Sequence, residues 1–357
     1  MSRISPSSLD LTNPLPLWIG TGGIGSDGIY RTTLDLESGA LSEPVLAAAI
    51  NKPGFVALNA ERTRLYSLSG EKGGGVAAFS IGADLSLDFL HFQSTGDGTA
   101  SHLSLDRTDR LLFSAQYGSG SVSVYPLAEN GDIGACSQVV KHSGSGPDKS
   151  RQEGPHPHFA GASPDNRFLL VPDLGADRIV IYQIDHEKAS LSPHGAAILP
   201  PGSGPRHLKF SDDGSKVYLI NELGMTVTVF DYDAAAGELT SIQTIPSLPE
   251  AMWKVPNKAS EIRMHPSGKF VYAANRGHDS IAVFAVEEGS GSLRFVEHEA
   301  IRGAYPRHFN IDPTGRWLIA AGRTSNTLSV FAIDPDSGRL YFTTGVVNVP
   351  DPICVEW

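Results

Sequence analysis

Residues 331–340 read FAIDPDSGRL: an apolar run, a turn through Asp, Pro, Ser and Gly, and a restart on Leu340. The same phrase stands at six earlier places: LDLESGAL (34–41), FSIGADL (79–85), YPLAENGDI (125–133), YQIDHEKASL (182–191), FDYDAAAGEL (230–239) and FAVEEGSGSL (284–293). Each closes a β-rich stretch and re-enters on Leu or Ile, which is hairpin chemistry. Successive restarts lie 44, 48, 58, 48, 54 and 47 residues apart. A period of about fifty residues, with about four short strands per unit, is the pattern of a β-propeller. Seven copies predict an all-β fold, a seven-bladed β-propeller of four-stranded antiparallel blades. In such a ring, polar residues at matched repeat positions converge on one central channel.

A second landmark aligns six full units: AERTRLYSL (60–68), DRTDRLLFSA (106–115), SPDNRFLLV (163–171), SDDGSKVYLI (211–220), HPSGKFVYAA (265–274) and DPTGRWLIAA (312–321). A polar turn precedes an apolar run that reads as a strand buried on both faces. The N-terminal segment 16–45 supplies only the later strands of a unit, and the tail DPICVEW (351–357) supplies a first strand with no successor. Together they predict a last blade closed by the two chain ends, which removes free sheet edges. One propeller domain over 1–357 is expected, with 1–14 as an N-terminal extension.

Composition narrows the function classes. A formal charge of −11 and the lack of any Lys/Arg run argue against a nucleic-acid partner. No stretch reaches the roughly 18 apolar residues of a membrane span, and the first twenty residues hold no apolar signal core. A cytoplasmic protein is expected, with Cys136 and Cys354 as free thiols rather than a disulfide framework. Two inserts break the period, at 138–157 (QVVKHSGSGPDKSRQEGPHP) and 246–260 (PSLPEAMWKVPNKAS). Long loops on a compact scaffold are often site loops.

Aligned unit by unit, from one residue before each first strand's apolar start, the repeats give columns that become rings around the axis. One holds Phe55, Ser101, His158, Arg206, Ser260 and Arg307. The next holds Val56, His102, Phe159, His207, Glu261 and His308. A third, at the strand end, holds Gly70, Gln116, Asp173, Glu222, Asn275 and Gly322, followed by Glu71, Tyr117, Leu174, Leu223, Arg276 and Arg323. The arginines with His158, Glu222 and Asp173 fit a small anion, since guanidinium forks match carboxylate or phosphate. His102, His207 and His308 read as hydrogen-bonding between blades. His156 and His158 in HPH have no third ligand at matching spacing, so no metal is expected. GGG at 73–75 lacks the Gly-Lys-Ser/Thr ending of a phosphate loop, and no cofactor is expected. No G-x-S-x-G elbow occurs, and none of Trp18, Trp253, Trp317 and Trp357 precedes Asp as in WD repeats.

RQEGPHPH (151–158), SPDNRFLLVPDLGADRIVIY (163–182), GSGPRHLKFSDDG (202–214) with INELG, EIRMHPSGKFVYAANRGHDSIAVF (261–284) and PRHFNIDPTG (306–315) resemble the seven-bladed lactonase family. Its members include propeller-type 6-phosphogluconolactonases and the fungal carboxy-cis,cis-muconate cyclase. The resemblance runs over nearly the whole chain. It implies a lactone hydrolase acting on a small phosphorylated or carboxylated sugar lactone, with His158, Arg206, Glu222 and Arg276 as catalytic residues. Arg307, Arg323, Asp173, His156 and the loop residue Arg151 complete the expected substrate-binding set. A cyclase-like lactonising enzyme uses the same four residues, and a non-catalytic binding propeller is the third reading. The chain departs from the family pattern at Ser69–Gly70, where a Glu is usual, and at Arg323, where a Gln is usual.

Overall fold

The structure, a computed structural model, describes residues 12–357. The expected extension at 1–14 therefore lies mostly outside the described residues. Seven four-stranded antiparallel sheets follow one another around a ring. Blades 1 to 6 cover 56–94, 102–141, 161–198, 205–246, 258–300 and 306–348. Blade 7 takes its innermost strand, Pro352–Glu356, from the C-terminus and its outer three, Leu15–Thr21, Gly28–Leu34 and Val45–Ala49, from the N-terminal segment. Trp18 pairs with Glu356, Ile19 with Val355 and Gly20 with Cys354, so backbone hydrogen bonds tie the two ends into one sheet.

The repeated turn explains why the second landmark works. In all six units the turn contains a left-handed residue: Arg62, Asp109, Asn166, Gly214, Gly268 and Gly315. A polar side chain just ahead takes up the backbone N–H groups that open the next strand. Asn59 Oδ1 accepts from Arg64 N (2.8 Å), Asp106 Oδ1 from Leu111 N (2.9 Å), Ser163 Oγ from Phe168 N (3.0 Å), and Asp312 Oδ1 from Trp317 N (2.7 Å). These are Asx- and Ser-type turn bonds.

Each second strand is buried almost throughout. The apolar clusters lie between neighbouring blades. Phe113 and Ala115 of blade 2 meet Leu169 and Val171 of blade 3, and Leu219 and Val217 of blade 4 meet Phe168 and Leu170 of blade 3. Blade 7 packs through Leu17 and Ile19 on Ile319 and Val330 of blade 6, and through Trp18 and Cys354 on Tyr66 and Val76 of blade 1. Both cysteines are free thiols. Among the described residues, no helix is long and apolar enough to cross a membrane.

Candidate active site

A cavity of about 530 Å³ opens on the ring axis, within the range of about 300–1,000 Å³ common for small-molecule sites. All seven blades or their connections reach it. Gly54, Phe55, Ser101 and Ile353 line the side of blades 7, 1 and 2. His158, Arg206, Glu222, Lys258, Arg276 and Arg307 line the side of blades 3 to 6. The first insert brings in Arg151, and the second brings in Lys258. Charge is thus confined to one half of the rim. Ser69 and Gly70, where the sequence departs from the family pattern, are not among the residues lining the cavity.

Two arginines sit at strand irregularities. The register shifts between Pro205 and His207 and again between Pro306 and His308, so Arg206 and Arg307 are the extra residues. A β-bulge leaves its residue out of the ladder and re-aims the side chain. Both are directed to the cavity.

Glu222 is the hub of the charged half. Its Oε1 accepts from Arg151 Nη2 (2.6 Å), and its Oε2 accepts from Arg206 Nε (3.1 Å) and lies 2.8 Å from Arg276 Nη2. Burial alone would raise this carboxyl, but Arg276, Arg206, His158 and Arg151 outweigh it and hold Glu222 well below the usual carboxylate range. It is an ionised anchor and a poor proton acceptor at neutral pH. Arg276 is further fixed by donating to Ala259 O (2.7 Å) and by lying over the Tyr305 ring, 5.3 Å from its centroid. Burial, with Arg307 and Arg276 nearby, lowers the Arg206 guanidinium to about 9, so it stays charged near neutrality.

Arg307 stands apart. Among the described residues no carboxylate lies within salt-bridge distance of it. Burial, followed by the neighbouring Arg276, lowers it to about 10. His158 is the neutral group. Burial first, then Arg206, His207 and Arg307, push its imidazole well below its ordinary value. Four guanidinium groups and one ammonium therefore face a single carboxylate around this cavity, in a chain of net charge −11.

The structure brings together six of the nine sequence-expected residues: His158, Arg206, Glu222, Arg276, Arg307 and Arg151. Asp173, His156 and Arg323 are not among the residues lining the cavity. Asp173 Oδ1 accepts from the backbone of His156, Gly175 and Ala176, and Oδ2 meets His142 Nδ1 at 2.7 Å. It anchors its turn and the long loop. His156 stacks on Tyr117 (4.3 Å) and bonds Tyr117 O and Glu153, so it does not converge with His158 on a metal. Arg323 donates to Asp351 Oδ1 (2.6 Å) and ties blade 6 to blade 7. One grouping with metal-ligand chemistry, His308 with Cys354 and Glu356, is found among the described residues. Arg263 Nη2 already lies 2.8 Å from His308 Nε2 and 2.7 Å from Glu356 Oε1, placing a cation there.

The third sequence column needs a correction of register. Asn221 pairs with Thr226 as Asp173 pairs with Arg178 and Asn275 with Ser280. Glu222 therefore falls in the following ring, with Tyr117, Arg276 and Arg323, and Gly70 is displaced in the same way. The basic residue of the second landmark precedes the strand in four blades, but Arg64 and Lys216 are themselves the first strand residues. Glu222 and Arg276 thus occupy equivalent positions in adjacent blades, which explains their contact.

Lys258 and Tyr305 were missed as lining residues. Tyr305 had a readable signal, because it precedes Pro-Arg-His where blade 4 has Gly204. Both adopt positive φ, 62° and 61°, a region that disfavours a bulky residue.

The family model for the seven-bladed β-propeller lactonases matches residues 16–357. The chain belongs to this family. A Bacillus subtilis protein named 6-phosphogluconolactonase is 39% identical over 335 residues, covering 93% of this chain and 95% of that one. The crystal structure of a Pseudomonas aeruginosa periplasmic gluconolactonase superposes with a TM-score of 0.91 at 31% identity, covering 96% of this chain and 98% of the other. A Bacteroides fragilis structure gives 0.90 at 32% identity, covering 98% and 99%.

Proposed function

We propose that the chain hydrolyses an anionic sugar lactone, 6-phosphogluconolactone, to the open acid, as a cytoplasmic enzyme of carbohydrate metabolism. The observation that carries this reading is the cavity wall, where cations outnumber the one carboxylate and a neutral imidazole stands beside them. The name of the Bacillus subtilis relative supports the same substrate.

In this reading water attacks the lactone carbonyl carbon while His158 takes its proton. The electron pair of the C=O bond moves to oxygen, and Arg206 with Arg276 stabilises the oxyanion. The intermediate collapses, the bond to the ring oxygen breaks, and that oxygen recovers the proton from His158. Hydroxyl and carboxylic acid result, and the acid releases its proton to solvent. Glu222 holds the arginines in place. Arg307, helped by Lys258 and Arg151, takes the phosphate in charge-assisted hydrogen bonds. A bound dianion also offsets the field of Arg206 and Arg307 at His158, which makes the imidazole more basic when a base is needed.

Freshly made 6-phosphogluconolactone, followed by coupled oxidation of the product, tests the proposal against the spontaneous rate. Acceleration by the wild type that falls by about 10² or more in Arg206→Ala is expected. No acceleration above the spontaneous rate would overturn it.

A further inference from the structure

Beside His158 lies a buried pair of side chains from two adjacent blades, His207, which also lines the cavity, and Glu261, which does not. His207, on the strand Pro205–Phe210, places Nε2 3.2 Å from His158 Nδ1. Its other nitrogen, Nδ1, lies 2.9 Å from Oε2 of Glu261, on the strand Lys258–Met264. His158, His207 and Glu261 are all buried. This run of contacts joins three blades and ends at the cavity.

The protons can be placed from the carboxylate outward. Burial would raise Glu261, but Arg263, His308, Lys209 and Arg206 outweigh it, and the carboxyl is lowered overall. Ionised, it only accepts. His207 Nδ1 must then be the donor. Burial, followed by Arg206 and then Lys209 and Arg263, keeps His207 neutral, so its Nε2 carries a lone pair. His158 Nδ1 must donate to that lone pair, which leaves Nε2 of the neutral His158 as the acceptor on the cavity side. The neighbouring His102 does not compete, since its Nδ1 faces Ala160 N at 3.4 Å. His308 Nδ1 accepts from Val355 N (3.1 Å), which leaves its Nε2–H 3.3 Å from the same Oε2 of Glu261, a second and longer contact beside that of His207.

We infer that Glu261 and His207 are positioning residues that fix His158 in its Nδ1–H tautomer, aim Nε2 at the substrate water, and stabilise the imidazolium formed in the reaction. The logic is that of a hydrolase base oriented by a buried carboxylate, with one extra imidazole interposed. The inference rests on the proposed role of His158 as the base. It gives His207 and Glu261 a task beyond packing between blades.

The test reads the tautomer and the rate separately. Imidazole nitrogen NMR on histidine-labelled protein near neutral pH, with His158→Gln supplying the assignment, is expected to show a protonated Nδ1 and a bare Nε2 at His158. His207→Phe removes the acceptor and fills the space. It should mix the His158 tautomers and lower kcat by about 10- to 10²-fold, with KM nearly unchanged. His207→Gln offers an amide oxygen to His158 Nδ1–H and an amide N–H to Glu261, and should restore most of kcat and the single tautomer. An Nε2–H tautomer in the wild type would overturn the relay even if His207→Phe fails to fold. So would unchanged kcat in folded His207→Phe alongside an inactive His158→Ala. If His158→Ala itself keeps full kcat, the base assignment falls and the relay falls with it.

Discussion

Gly204-Pro205-Arg206-His207 in blade 4 and Tyr305-Pro306-Arg307-His308 in blade 6 are one corner built twice. Both open on a left-handed residue, and both backbone N–H groups donate to an aspartate Oδ1 at 2.8 Å, Asp177 in one and Asp279 in the other. Both place an arginine at a bulge. They part at the end of the second strand. Blade 4 has Glu222 there, which binds Arg206, whereas blade 6 has Arg323, which turns to Asp351. The same backbone therefore delivers one guanidinium committed to a carboxylate and one left open to an incoming anion. In the proposed reading, Arg206 is the fixed guanidinium that meets the oxyanion and Arg307 the open one that takes the phosphate.

Removing what distinguishes blade 4 should have the largest effect. Glu222→Gln leaves Arg151, Arg206 and Arg276 together without their shared counter-charge. Breaking a buried pair from one side costs about 3–5 kcal/mol, and a denaturant titration should show a loss of that size. A loss under about 1 kcal/mol would mean that solvent already screens the hub.

Acid should act on the buried imidazoles. His102, His158, His207 and His308 all have pKa values pushed well below the ordinary value, with burial the largest cause. Their contribution to stability is full above about pH 6.5 and is lost progressively as pH falls from there, because the unfolded chain binds those protons first. Thermal melts should decline from about pH 6.5 downward, before carboxylates such as Glu222 begin to protonate. For catalysis, the acid limb of kcat/KM should lie below about pH 6.5. Arg307→Gln should move it upward, since Arg307 is one of the charges facing His158. A limb that does not move would separate His158 from that corner.

Exchanging the opening residues gives the smallest effect. Tyr305→Gly relieves a left-handed tyrosine, worth about 1–2 kcal/mol, and loses the contact of its ring with Arg276, worth about 0.5–1 kcal/mol. Stability should stay nearly level while kcat/KM falls by about 2- to 5-fold. A much larger fall would give the tyrosine a direct part in binding.

The propeller was legible because its determinants are local and repeated. Seven turns, six buried second strands and two incomplete ends are each contained in a few residues. The lining of the cavity was legible where a residue's place in the repeat alone aims it at the axis, as for His158, Arg206 and Arg307. It was misread where a neighbour decides. Asp173 occupies a ring position, but its oxygens face the backbone of a loop that other repeats lack, and Arg323 turns away because Asp351 stands beside it. The Glu222 column slipped because Lys216 enters its strand while four of its counterparts stop short of theirs. Periodicity carries angular position around the ring, but the pairing of charges depends on side chains from adjacent blades.

The most direct test of the division between the two corners compares 6-phosphogluconolactone with gluconolactone, which lacks the phosphate, in the wild type, Arg307→Ala and Arg206→Ala. Arg307→Ala should lose about 10²-fold in kcat/KM on the phosphorylated lactone and little on the other, collapsing the wild-type preference. Arg206→Ala should lower both substrates in parallel. Equal losses on the two lactones in Arg307→Ala would contradict the assignment of the unpaired guanidinium to the phosphate.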